Sequence, residues 1–232
     1  MEKNQYDLCL EILKRLDQSG ILNKIILIGS WCLPFYEQYF RGIKYQPAIK
    51  TRDLDFLFTK PLTNNIKADI PALLKDLGFI VVFKGSKGYI VLQHPDLIVE
   101  FLVVEKGKGT DNPIPLPGLG INATALRYLS FLTMNTIKVE VDNFTVTLPH
   151  PANFALHKII VAQRRRNSEK KEKDRDAAMN VINALIAKGE KATLQRSFNS
   201  IPDKWQATIL KGLKTENEND IIELLRQNAK TR

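Results

Sequence analysis

The sequence predicts an α/β (α+β) fold, with a mixed-sheet domain at 1–149 and a helical domain at 150–232. Up to residue 149, short β-branched runs alternate with stretches of helical period; from Pro151 onward only the helical period continues. Charge divides in the same way. Residues 1–150 hold 17 basic and 15 acidic side chains, a net of +2, whereas residues 151–232 hold 17 and 10, a net of +7.

The elements follow in order. Tyr6, Leu8, Cys9, Ile12, Leu13 and Leu16 repeat at helical spacing, so 5–18 is a helix that ends at Ser19-Gly20. Residues 24–28 form a buried strand, followed at once by Gly29-Ser30 and a helix over 31–40. A strand is expected at 53–58 and a helix at 66–77. Strands at 79–83 and 88–93 flank the turn Gly85-Ser86-Lys87-Gly88, and 97–104 is another strand. Residues 107–120 carry four Gly and three Pro and read as a loop. A short helix near 123–133 and a hairpin at 136–148, turning at Asp142-Asn143, complete the first domain. Helices over 151–166, 170–187, 190–199, 203–212 and 217–228 make the second.

A hydrophobic share of 44% and a charged share of 25% exclude disorder throughout and collagen-like repeats. The net charge of +9 favours a polyanionic partner, nucleic acid or a triphosphate. Cys9 and Cys32 are too few for a disulfide framework, and His94, His150 and His157 lack zinc spacing. The first residues lack an apolar secretory core, and no apolar run approaches the roughly 20 residues that span a bilayer. A cytoplasmic protein with no membrane partner is the expectation.

The chemistry concentrates in Thr51-Arg52-Asp53-Leu54-Asp55-Phe56-Leu57-Phe58. Residues two apart on a strand point to the same side, so Asp53 and Asp55 project together while Leu54, Phe56 and Phe58 pack on the other face. Paired carboxylates repel one another, and a divalent cation is the usual compensation. Glu100 interrupts the apolar run 97–104 and also needs a partner. If its strand lies beside the Asp53 strand, three carboxylates converge, enough for a two-metal phosphoryl-transfer site. Taken singly, each has an ordinary reading: Asp-x-Asp as a solvated edge, Glu100 as the partner of an Arg or Lys. Gly29-Ser30 adds a phosphate cradle, in which glycine permits close backbone approach and serine supplies a hydroxyl.

Strand, Gly29-Ser30, helix, Asp53-x-Asp55 and a later Glu100 together resemble nucleotidyltransferases of the DNA polymerase beta-like superfamily. The resemblance implies the nucleotidyltransferase fold and transfer of a nucleoside monophosphate from NTP to an acceptor hydroxyl, dependent on Mg²⁺ or Mn²⁺. It implies Asp53, Asp55 and Glu100 as metal ligands and catalytic groups, Glu100 standing nearest the attacking hydroxyl. Here 23 positions separate Ser30 from Asp53, more than in compact members of the superfamily, which fits subgroups with an insertion at that place.

In the basic stretch 151–178, Lys158, Ala162 and Arg165 share a helical face, and Asp174 aligns with Ala178, Val181 and Leu185 on the side expected to be buried. A buried Asp174 needs a cation, and Lys158 or an Arg of the preceding helix is available. A solvated basic turn, with Asp174 placed near a helix N-terminus, is the other reading. Lys158 to Ala162 and Lys173-Asp174 resemble the second conserved region of bacterial nucleotidyltransferases related to abortive-infection and antitoxin-paired toxins. Leu126-Arg127-Tyr128-Leu129 through Pro149-His150-Pro151 resembles a poorly characterised prokaryotic nucleotidyltransferase family over about residues 22–186. The resemblance implies that Gly29, Ser30, Lys158 and Asp174 bind the nucleotide. It also implies an acceptor among RNA or tRNA, protein and small molecules, and allows an antitoxin partner. A non-catalytic nucleic-acid- or nucleotide-binding module on the same fold is the alternative.

Overall fold

The structure, a computed structural model, describes residues 3–47, 51–59 and 68–227. The chain forms two units, Met1–Cys32 with Ile49–Pro149, and Leu33–Ala48 with His150–Arg232. Among the described residues, no helix is long and apolar enough to cross a membrane.

The first unit is built on a mixed seven-stranded sheet. Its strands are β1 (Ile25–Ile28), β2 (Asp53–Phe58), β3 (Ile80–Lys84), β4 (Tyr89–Gln93), β5 (Ile98–Val104), β6 (Ile114–Leu116) and β7 (Ile121–Leu126). The order is β1-β2-β5-β4-β3, and β7 also pairs with β5 and carries β6. β2 and β5 run parallel, with Asp55 opposite Glu100 and Phe56 opposite Phe101. β1 runs antiparallel to β2, with Ile28 opposite Asp55.

Both faces of these central strands are covered, which explains their near-continuous apolar sequence. On one face Phe101 stacks with Phe56 and Phe58 at centroid distances of 5.6 and 5.7 Å. On the other, Ile26, Ile28, Leu57 and Leu102 cluster with Leu129 and Leu132. Leu57 lies two residues beyond Asp55 and Leu102 two beyond Glu100, so the carboxylates sit on this second face, beyond the end of its apolar cluster.

The helix α1 (Lys3–Gln18) lies against β9 (Phe144–Pro149) and α3 (Ile70–Leu74). Arg15 ties it to the Leu73 carbonyl of α3 at 2.9 Å and to Asp76 in the turn that follows. The hairpin β8 (Thr136–Val141) and β9 (Phe144–Pro149) turns at Asp142, whose φ is 50°, where the sequence places its turn.

Three stretches differ from the sequence expectation. Residues 66 and 67 of the expected helix at 66–77 lie outside the described residues. Its remainder is α3 (Ile70–Leu74) plus a 3-10 turn, started by Asp69, which accepts from the Ala72 N–H at 3.0 Å. The helix expected near 123–133 is instead β7 followed by α4 (Leu129–Thr133). Tertiary pairing outweighs the alanines' helical preference there: Thr124 pairs with Leu102, and the Asn122 side chain bonds both the Ile90 N–H and the Gly88 carbonyl of the neighbouring hairpin. Tyr128, at φ 68°, separates that strand from α4. The expected loop at 107–120 contains β6, an outer strand that tolerates Pro115.

The second unit is helical, with α5 (Pro151–Ala162), α6 (Ser168–Ala187), α7 (Lys191–Asn199), α8 (Asp203–Thr215) and α9 (Asn219–Arg226). α5 is its centre, packing on α6, α7 and α8. At Gly212 an added Cβ would stand 2.9 Å from Ile159 Cγ2, so glycine is what lets α8 approach α5. Most of α2 (Cys32–Tyr39) belongs here too: Tyr36 meets Phe154 edge-on at 5.4 Å.

Candidate active site

The first cluster lies in the sheet unit. Asp53 and Asp55 are half-buried and alternate onto one face of β2; Glu100 is half-buried and sits directly beside Asp55 on β5. Register partners on parallel strands point the same way, so all three carboxylates share a face of the sheet. Gly29 follows β1 with φ 72°, and the Asp55 carboxylate lies against its α-carbon: a Cβ there would be 2.7 Å from Oδ2. Ser30 follows in the 3-10 turn Gly29–Trp31 that leads into α2.

The donor set is all carboxylate oxygen, which suits a hard divalent cation such as Mg²⁺. Glu100 has a cation of its own, since its Oε1 accepts from Lys84 Nζ at 2.8 Å. The ordinary reading of Glu100, an acid paired with a lysine, is therefore also present in the molecule. Among the described residues, no three His, Cys, Asp or Glu side chains converge closely enough to hold an ion as they stand.

The second cluster lies in the helical unit. Asp174 is buried on the inner face of α6, and both of its oxygens are engaged. Lys158 Nζ donates to Oδ1 at 2.6 Å and Arg165 Nε to Oδ2 at 2.9 Å. Burial alone would raise this carboxyl; the two cations more than offset it and hold it below its usual range. Lys158 is itself buried, its ammonium 5.7 Å from the Phe154 ring centroid. Next to it, His157 keeps Nε2 buried with no hydrogen-bond partner among the described residues. Burial, and after it the neighbouring Lys158 charge, lowers this imidazole to about 3, so it is neutral at ordinary pH.

Two features of the structure have no counterpart in the sequence reading. One is Lys84. The other is a chain in the helical unit formed by His150, Tyr39, Glu190 and Lys188. His150 accepts from the Ala152 N–H through Nδ1 at 3.1 Å, which leaves the proton on Nε2, 3.0 Å from the Tyr39 hydroxyl. Tyr39 donates to Glu190 Oε2 at 2.6 Å, and Lys188 pairs with Oε1 at 2.8 Å while its ammonium stands 3.6 Å from the Tyr39 ring centroid. The one local signal was His150 between two prolines, at the N-cap of α5.

A search of curated proteins gives no match. Among solved structures, the chain is similar to an antigenic nucleotidyltransferase-like protein from Paracoccidioides brasiliensis. The TM-score is 0.52 at 15% identity, over 97% of this chain and 94% of that one. It also has a lower similarity to ANT(2")-Ia, solved in complex with adenylyl-2"-tobramycin, with a TM-score of 0.45 at 13% identity over 84% and 99% of the two chains. The nucleotidyltransferase family profile matches residues 8–203, most of the sheet unit and much of the helical one. With the carboxylate strands and the glycine turn inside that match, the chain belongs to the nucleotidyltransferase family.

Proposed function

We propose that the enzyme moves a nucleoside monophosphate from an NTP to an acceptor hydroxyl, with Asp53, Asp55 and Glu100 holding Mg²⁺ or Mn²⁺. The observation that carries this reading is the register of Asp55 against Glu100, with Asp53 on the same face and the Gly29 backbone against the Asp55 carboxylate. A divalent ion there offsets the charge of the triphosphate and polarises the attacking hydroxyl.

The residues of the chain divide the remaining work. Asp53 and Asp55 anchor the charge of the site from one rigid strand. Glu100 stands nearest the attacking hydroxyl and takes up its proton. Gly29 and Ser30 hold the phosphates by close backbone approach and by a hydroxyl at the start of α2. Lys158 and Asp174 are the nucleotide-binding residues of the helical unit, Asp174 fixing the direction of the Lys158 ammonium. In this reading residues 1–149 carry the chemistry and residues 150–232 support nucleotide binding. The acceptor is an RNA such as tRNA, a protein or a small molecule.

The test uses each labelled NTP with Mg²⁺ and separate pools of total RNA, protein and small molecules. Label should enter one pool with the wild-type chain and none with Asp55→Asn, whose circular dichroism should match wild type. NTP that binds without metal, equally well in Asp55→Asn, together with no labelled product in any pool, would show a binding module and defeat this reading.

A further inference from the structure

Lys84 is the last residue of β3, the outer strand beyond β4, yet its ammonium reaches Glu100 on β5. Strand alternation explains how. Val82 pairs with Val91, and Leu92 pairs with Val99. One residue along from that second pair, Val91 and Glu100 share the opposite face, and Lys84 follows Val82 by two. Lys84 therefore projects from the same face as Glu100, Asp55 and Asp53, and spans β4 to reach the nearest carboxylate. Neither partner is deeply buried: the Lys84 side chain is 45% exposed and that of Glu100 29%. An exposed pair of this kind adds little to folding, so its location matters more than its strength.

We propose that Lys84 is a positioning residue that serves as the resident counter-cation of the carboxylate cluster. It holds Glu100 while no metal is bound and gives it up when a divalent ion enters, and so sets the metal concentration at which the site loads. This inference rests on the reading of Asp53, Asp55 and Glu100 as metal ligands. Two effects act in the same direction. The entering ion must break the Lys84–Glu100 pair to recruit Glu100, and the nearby ammonium repels it. A lysine suits the task, because a point charge on a flexible stem can withdraw where a bidentate guanidinium would hold on.

The experiment measures Mn²⁺ binding to the full chain without nucleotide, from the electron paramagnetic resonance signal of free Mn²⁺. Lys84→Met should bind Mn²⁺ about two- to fivefold tighter than wild type, the factor expected for loss of an exposed ion pair. Lys84→Arg, which keeps the charge, should not bind more tightly than wild type. In a Glu100→Gln background, Lys84→Met should lose most of its effect, because the pair is already broken. Asp55→Asn is the control for the site itself. If Asp55→Asn weakens Mn²⁺ binding and Lys84→Met leaves it unchanged or weaker, the role of Lys84 is overturned while the metal site stands. If Asp55→Asn has no effect on Mn²⁺ binding, both fall.

Discussion

The Asp55 carboxylate rests on the α-carbon of Gly29, so closely that a methyl group there would stand 2.7 Å from Oδ2. Gly29 also holds φ at 72°, where any side chain is strained. Gly29→Ala therefore meets two penalties. The backbone alone costs about 1–2 kcal/mol. The Asp55 side chain must also swing aside, which moves a proposed metal ligand. Urea denaturation should show the stability loss, and nucleotidyl transfer should fall more than the stability loss explains. In an Asp55→Ala background the stability loss should shrink to the backbone part; an undiminished loss would locate the conflict elsewhere.

Asp174 is the anion between two cations, so its removal should cost more than the removal of either. Asp174→Asn leaves the buried Lys158 ammonium without its carboxylate, a change of about 3–5 kcal/mol. Lys158→Met should cost less, because Arg165 remains on Asp174. The folded carboxyl is held below its usual value, so its contribution is complete above an unfolded pKa of about 3.9 and is lost as pH falls through the lower folded value. Stability measured at pH 5 and at pH 3 should differ less in Asp174→Asn than in wild type.

His157 acts in a different pH window. Its folded value is about 3 against an ordinary 6.5, so the unfolded chain takes up a proton that the folded one refuses. Stability should therefore decline as pH falls below about 6.5, and continue to decline until about pH 3. The slope from this one group approaches about 1.4 kcal/mol per pH unit. His157→Gln, compared with wild type from pH 7 to pH 4, should have the shallower slope. Equal slopes would mean that the imidazole is hydrated in solution.

Tyr39→Phe keeps the ring under Lys188 but removes the hydroxyl between His150 and Glu190. The lost bond to a carboxylate predicts a destabilisation of about 1.5–3 kcal/mol. Amide exchange should quicken in α2 and at the start of α5 in particular. A uniform increase across all helices would mean that the hydroxyl supports the whole fold rather than this junction.

Local pattern carried much of this structure. β2 spans 53–58 as its apolar alternation indicates, and the turn at Asp142 and the helices after Pro151 follow from residue type and spacing alone. The same alternation places Asp53 and Asp55 on one side. Long-range pairing was not legible. That β5 lies beside β2 with Asp55 opposite Glu100 depends on sheet order, which no window of sequence contains. β7 runs against its local pattern, because its two alanines suit a helix and only its partners make it a strand. Lys84 could not be connected to Glu100 without knowing that β4 alone lies between their strands. The Lys158–Asp174 pair was easier, because both residues lie on adjacent helices with clear faces.

Residues 33–47 fold with the helical unit, whose other members are made last. Phe35, Tyr36 and Phe40 are aromatic and buried in the finished protein. They leave the ribosome more than a hundred residues before Phe154, the α5 ring that Tyr36 meets. For most of translation, Tyr36 lacks the ring it docks on, while the sheet strands on either side of this stretch can already pair. Newly made chains therefore pass through a state with exposed rings in an internal loop, a target for chaperones and a source of aggregation when synthesis stalls before α5.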